Sequence, residues 1–410
     1  MFKTTIRVAA SILLCAGPVL AGEPPQAAGA PLTFSAALDL ATSRNLGLEA
    51  ARRQRAIREA QLRTARQWAN PEVGFEATQD SPHENLTFGL PIEIGGQRGK
   101  RIAVAKEALT LADLDVRVEM TTLRRNLRQA FYGLLAANER SRLADEVAGL
   151  AERVKSVAQT RFEEGAAPRL EVLQADVGLA RAQADADLAR SARTSALADL
   201  NAVLNQPPGQ AVSVVGDLAE GAPIPDFTRA MSLADASNVD ILSADREAAV
   251  EGRRLELLKA ERVPTPTFTF GLPMNAPDEF SVGKSIGITM TVPLFNRSQG
   301  EIAESQATID QVRARRNAAH RTVESKVFAV LARIDAQRRQ LDAYRMRVIP
   351  AAVELAALAE ESYKAGRDTL LVLLDAQRSL RDVKRDYLQA LLDYQAALAD
   401  LEEVLGGPIA

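Results

Sequence analysis

Helix-breaking residues are missing over long intervals of this chain, and that limits what it can fold into. No proline stands between Pro91 and Pro168, between Pro168 and Pro207, or between Pro293 and Pro350, and no glycine stands between Gly300 and Gly366 or between Gly366 and Gly406. In a helix interior glycine costs about 1 kcal/mol and proline about 3 kcal/mol relative to alanine, so these clean intervals read as helices. Gln97 to Phe162 alone covers about 65 residues, a length of ~100 Å at the α-helical rise. An ordinary domain is narrower than that, so such helices project as rods. A composition 47% apolar, 25% charged and only 4% aromatic favours long helices over a thick aromatic core.

The rods carry a coiled-coil period. Leu380, Val383, Tyr387, Ala390, Tyr394, Ala397, Leu401 and Val404 step alternately by three and four residues, the heptad seam of packed helices. Leu170, Leu173, Val177, Ala180 and Ala184 step the same way, and the alanines allow close approach.

Two regions switch to a period of two. Val73, Phe75 and Ala77 alternate with Glu72, Gly74, Glu76 and Thr78, and Leu86, Phe88, Leu90, Ile92 and Ile94 alternate with Thr87, Gly89, Pro91 and Glu93. Further on, Phe268, Phe270 and Leu272 alternate with Thr267, Thr269 and Gly271, and Val282, Ile286, Ile288, Met290, Val292 and Leu294 alternate with glycine, serine, threonine and proline. Polar proline-containing loops, Asp80 to Glu84 and Asn275 to Glu279, join each pair. These are two β-hairpins, each with one apolar and one small or polar face.

The chain is a tandem duplication. Pro71 and Pro266, like Phe75 and Phe270, are 195 residues apart, whereas Gly99 and Gly300, like Gly165 and Gly366, are 201 apart. The offset grows inside the hairpin, where insertions cost least. Each copy reads as helix–hairpin–helix–turn–helix. The expected organisation is a first repeat over 34–205 with its hairpin at about 72–94, a linker over 206–227, a second repeat over 228–405 with its hairpin at about 266–294, and a C-terminal tail over 406–410.

The start of the chain reads as an export signal over 1–21, with Lys3 and Arg7 before an apolar stretch and small Ala21 at its end. A flexible tail over 22–33 follows. Cys15, the only cysteine, lies inside the apolar stretch; a lipid anchor there is the lesser reading, since it calls for a small residue before the cysteine and Leu14 is not small. No disulfide, thiolate zinc cluster or thiol nucleophile is expected after cleavage. His83 and His320 belong to no pair at metal-ligand spacing, so no metal or cofactor site is expected. Net charge is −3 without a basic run, which argues against a nucleic-acid binder. An enzyme is the weakest reading, because no triad, metal or phosphate motif stands out.

Four strands do not close a membrane barrel, which starts at about eight. An open sheet leaves unpaired edges and an uncovered apolar face. A barrel shared among subunits resolves both, with apolar faces toward lipid and the small polar face toward water. A soluble periplasmic sandwich would bury the apolar face instead, but it has no place for ~100 Å helices.

The whole chain after the export signal resembles the TolC-like outer-membrane efflux proteins. The resemblance is carried by the duplication, by Asn70-Pro71-Glu72 before the first hairpin, and by Val292-Pro293-Leu294-Phe295-Asn296-Arg297 after the second. The paired turns Arg161-Phe162-Glu163-Glu164-Gly165 and Ser362-Tyr363-Lys364-Ala365-Gly366 complete it. It implies a mainly α fold with a small β part: tandem helical hairpins forming an α-barrel, plus a four-strand share of a trimeric 12-stranded transmembrane β-barrel. Leu90-Pro91-Ile92-Glu93-Ile94-Gly95-Gly96-Gln97-Arg98-Gly99-Lys100-Arg101 resembles the cobalt-zinc-cadmium (CzcC-like) branch, or is only a strand-to-helix turn; it lacks the ending of a phosphate loop.

The resemblance implies a homotrimeric exit duct in outer-membrane lipid. A periplasmic adaptor would dock at its tips and an inner-membrane resistance-nodulation-division pump would drive it, with divalent heavy metals as cargo. A multidrug or type I secretion duct is the alternative of the same class, and a periplasmic coiled-coil structural protein that of another. The implied gate and docking tips hold Gly165, Glu171, Tyr363, Gly366, Arg367, Asp368 and Asp375. Asp375 matches a constriction-lining aspartate, and Glu171 and Tyr363 match gate hydrogen-bond partners. Val372 replaces a second aspartate of the family's best-known member, and Asp368 stands where that member has an arginine, beside Arg367.

Overall fold

The computed structural model describes residues 31–79, 83–221, 223–274 and 283–409. The expected export signal, Cys15 and most of the tail over 22–33 lie outside the described residues, as do Val282 and parts of both hairpin loops.

The first repeat opens with α1 (Phe34–Arg44) and α2 (Leu46–Ala65), then β1 (Glu72–Ala77) and β2 (Glu84–Pro91), then α3 (Gln97–Glu163) and α4 (Arg169–Val203). The second follows with α5 (Phe227–Ser237), α6 (Val239–Ala260), β3 (Thr267–Met274) and β4 (Ser285–Thr289). It ends with α7 (Gln299–Ala343), a π turn (Tyr344–Val348), α8 (Ile349–Lys364) and α9 (Leu370–Leu405). Two helices, not one, precede each hairpin. Their breaks are set by side-chain caps that repeat at equivalent positions: Thr33 and Asp226 accept from the first turns of α1 and α5, and Asn45 and Asn238 do so for α2 and α6.

The four strands form one antiparallel sheet in the order β1-β2-β3-β4. Its register sorts the residues into two faces. Val73, Phe88, Phe270 and Ile286 lie in one cross-strand row, flanked by the rows Phe75–Leu86–Leu272 and Leu90–Phe268–Ile288. The other face carries Gly74–Thr87–Gly271–Ser285 and Glu72–Gly89–Thr269–Gly287. A Cβ at Gly74 would meet the Thr87 hydroxyl at 2.7 Å, and one at Gly287 the Thr269 hydroxyl at 2.8 Å. The small polar face is therefore crowded between strands, while the apolar face stays open: Val73 is 64% and Ile286 83% exposed. The outer edges of β1 and β4 have no strand partner among the described residues.

β4 stops short of the expected strand end near Leu294. Its last residue pairs with Thr267, where β3 begins, so Met290, Val292 and Leu294 have no strand partner among the described residues and lie exposed. The α4 heptad also departs from expectation. Its buried stripe is Ala175, Ala182 and Ala186, facing α3, whereas Leu170, Leu173 and Val177 remain more than half exposed.

Two apolar clusters hold the rods together near their middle. Leu127, Phe131 and Leu134 of α3 pack with Leu48, Leu200, Leu204 and the linker residues Val214 and Leu218. Val327 and Ile334 of α7 pack with Ile241, Tyr394, Leu398 and Leu401. Between them the buried Arg128 donates to Glu402 Oε1 at 2.9 Å and to Gln395 Oε1. The amide of Gln395 in turn donates to the linker carbonyls of Leu218 and Glu220. Both ends of the described residues are packed. Leu32 bridges to Val214, and the backbone of Gly406, at φ +75°, sits against Ser237 while Ile409 joins the second cluster. No helix among the described residues is long and apolar enough to cross a membrane.

Candidate functional site: the helical tips

The long rods reverse at two matching turns. Gly165 and Gly366 take left-handed conformations, φ +74° and +68°. Each closes its helix with the same pair of backbone bonds: Gly165 N–H to Phe162 and Ala166 N–H to Arg161, then Gly366 N–H to Tyr363 and Arg367 N–H to Ser362. Only glycine takes that backbone without steric cost. Both turns lie at the ends of the helices remote from the sheet.

The structure brings Tyr363 and Glu171 together. Tyr363 lies in the last turn of α8 and is 1% exposed. Its hydroxyl donates to Glu171 Oε2 at 3.3 Å. Arg161, at the end of α3, donates to the Tyr363 carbonyl at 2.8 Å, and its guanidinium lies 4.8 Å from the ring centroid. The tyrosine is seated among Ala158, Ala175, Leu370 and Leu373. Burial, then the nearby Glu171 charge, raise its pKa above the usual tyrosine value. The two tips of one chain are thus joined by a second-repeat side chain set into the first-repeat helix pair.

The remaining candidates do not enter that contact. Asp368 accepts from the Ser362 hydroxyl at 2.6 Å within its own turn. Arg367 has no carboxylate partner among the described residues, and Asp375 is exposed with no side-chain partner among them. Arg161 was not singled out as a contact residue from sequence, although it opens one of the two paired turns. His320 bonds Asp235 at 3.1 Å between α7 and α5, and His83 is exposed in the first hairpin loop. No group of His, Cys, Asp or Glu able to hold a metal ion occurs among the described residues.

Above the tips a cleft of about 1190 Å³ opens between the α3/α4 and α8/α9 pairs. Leu173, Val177, Leu371 and Leu374 form its apolar part, and Arg181, Asp185 and Arg381 its polar rim. Each tip, over 160–176 and 360–376, carries four carboxylates against two basic side chains. Each tip therefore carries a net negative charge.

Comparison with known proteins agrees with this architecture. The chain is 27% identical over 363 residues to the cobalt-zinc-cadmium resistance protein CzcC of Cupriavidus metallidurans, covering 87% of this chain and 85% of CzcC. It is 28% identical over 342 residues to the nickel-cobalt-cadmium resistance protein NccC of Alcaligenes xylosoxydans xylosoxydans, covering 78% and 74%. Among solved structures, CusC, studied for its folding and transmembrane channel formation, superposes with a TM-score of 0.76 at 15% identity, over 91% of this chain and 92% of CusC. Residues 34–206 and 231–407 match a single family description, and on that match the chain belongs to the outer membrane efflux protein family.

Proposed function

We propose that the protein is the passive outer-membrane exit duct of a tripartite efflux system that expels divalent heavy-metal cations. Three copies would close the sheet into a twelve-stranded barrel and the helices into a tunnel reaching through the periplasm. The observation that carries this reading is the sheet itself. It has two open edges and one face of exposed Val, Phe, Leu and Ile, while its other face is lined by Gly, Ser, Thr and Glu. Edge closure by further copies satisfies the free backbone groups. Lipid covers the apolar face, and water fills the polar one.

Cation export draws support from the carboxylate excess at both tips and from the metal-resistance names of the relatives. The energy source would be an inner-membrane resistance-nodulation-division pump, with a periplasmic adaptor joining it to the tips. Asp375, without a side-chain partner among the described residues, would project into the closing ring and become three carboxylates by symmetry.

Extraction of the outer-membrane fraction in mild detergent, followed by mass measurement and single-channel recording, tests the reading. A trimer that conducts cations in preference to anions is expected. A soluble monomer would refute it. Asp375→Ala should reduce cation preference at the periplasmic mouth, and unchanged ion selectivity would remove Asp375 from the gate.

A further inference from the structure

Duplication makes the two tips equivalent, but the residues at their seam are not. With Gly165 and Gly366 matched at 201 residues, Tyr363 corresponds to Phe162, Glu171 to Val372 and Arg161 to Ser362. Within one chain the seam between the tips is polar, with Tyr363 bonded to Glu171 and covered by Arg161. A ring built from three such chains has two kinds of seam in alternation, one inside each chain and one between neighbours. The rotation that carries the first tip onto the second carries the Tyr363–Glu171 contact onto Phe162 of one copy and Val372 of the next.

Both residues are apolar, and both are uncovered in the single chain. Phe162 is 40% exposed and Val372 44%, while Tyr363, the counterpart of Phe162, is 1% exposed. The neighbouring Leu170 and Leu371, themselves a matched pair, are also open at 61% and 66%. An aromatic and a branched aliphatic side chain of this size gain by covering each other. They offer no hydrogen bond and no charge.

We propose that Phe162 of one copy packs on Val372 of the next, so that the tip ring alternates three polar seams within chains with three apolar seams between them. The inference rests on the trimeric reading above and adds which side chains close the ring. The polar seams respond to protonation and to cations. The apolar seams respond to neither, and they hold neighbouring copies together in the closed ring.

Cross-linking tests it on the full-length protein in detergent, in a Cys15→Ser background. Phe162→Cys/Val372→Cys, treated with a short bifunctional maleimide, should migrate as a covalent trimer on a denaturing gel. Glu171→Cys/Tyr363→Cys should link within one chain and leave the migrating mass at one subunit. Phe162→Cys/Met346→Cys, with Met346 77% exposed, should not link. Native mass measured beforehand separates two failures: no trimer refutes the duct, whereas a trimer without Phe162–Val372 cross-links overturns only the seam.

A charge exchange supplies a second readout. Phe162→Lys and Val372→Asp should each raise the open probability of the single channel, by about tenfold for each seam that opens. The combined variant should return it toward the starting value, because the new charges face each other. Absence of that return would overturn the pairing.

Discussion

Tyr363→Phe removes one hydroxyl from a buried ring and leaves its packing in place. The lost bond joins the second tip to the first, Oη to Glu171 Oε2 at 3.3 Å. A protein hydrogen bond contributes about 1 kcal/mol net, and up to about 3 kcal/mol with a charged partner. At 3.3 Å the bond is longer than a typical O–H···O contact of about 2.7–2.8 Å, so about 1 kcal/mol applies. The proposed trimer contains it three times. Tips that open together lose about 3 kcal/mol, a rise in the open-to-closed ratio of roughly a hundredfold. Tips that open singly lose about 1 kcal/mol each, roughly fivefold. Single-channel recording in planar bilayers reads this ratio directly. Glu171→Gln should act in the same direction, and the double variant should fall short of the sum, because both remove one interaction. Asp368→Asn is the control, since its bond to Ser362 lies within one turn and joins nothing across the seam. An unchanged open probability in Tyr363→Phe, or full additivity with Glu171→Gln, would refute the assignment of this bond as the latch.

Alkaline pH should release the same latch. Burial and Glu171 raise the Tyr363 pKa, so the folded tip holds its proton where an unfolded tyrosine, at about 10, would release it. The stabilising contribution is whole below pH about 10 and is lost as pH rises through the raised value; open probability should climb there, and Tyr363→Phe should flatten the climb. Glu402→Leu should destabilise the fold by about 3–5 kcal/mol, because it strands the buried Arg128 guanidinium. Arg128→Met/Glu402→Leu should cost less than that single change in the same denaturant titration. Gly406→Ala should lower thermal stability by about 2–4 kcal/mol, because its φ of +75° resists a Cβ and the Cβ would strike the Ser237 backbone, which no rotamer change relieves.

The rods, the hairpins and the duplication were legible because each follows from local periodicity. A long interval free of proline and poor in glycine marks a helix, and alternation marks a strand. What escaped depended on partners. Met290, Val292 and Leu294 alternate as well as Ile286 and Ile288, yet β4 ends at Thr289, because its partner Thr267 is preceded by Pro264 and Pro266, which have no N–H to donate to a longer ladder. The heptad on α4 is real in sequence, but the helix turns its alanines toward α3 and leaves its leucines outward. The π turn over Tyr344–Val348 escaped as well. Pro350 has no N–H to donate and crowds the preceding turn, and the backbone meets this by widening just before it, with Ile349 N–H bonding Tyr344. Pro350 was the available sign of it. The matching stretch of α3 has no proline and runs unbroken.

At the tips both the turns and the Glu171–Tyr363 pair were legible, the turns from their glycines and the pair from the family resemblance. Gly165 and Gly366 make the same turn, because left-handed backbone is a property of one residue. The contact between tips is a property of pairs, and the duplication has diverged there by substituting both members of a pair: tyrosine and glutamate on one side, phenylalanine and valine on the other. A change of only one would have left either a buried carboxylate facing phenylalanine or a hydroxyl facing valine, each an unpaired polar group costing about 1–3 kcal/mol. Pairwise exchange is the outcome expected where both seams are buried. It is not expected where Phe162 and Val372 stay in water, because solvent satisfies either partner alone. The exposure of these two residues in the isolated chain therefore argues that the assembled ring, not the single subunit, is the state in which their packing is selected.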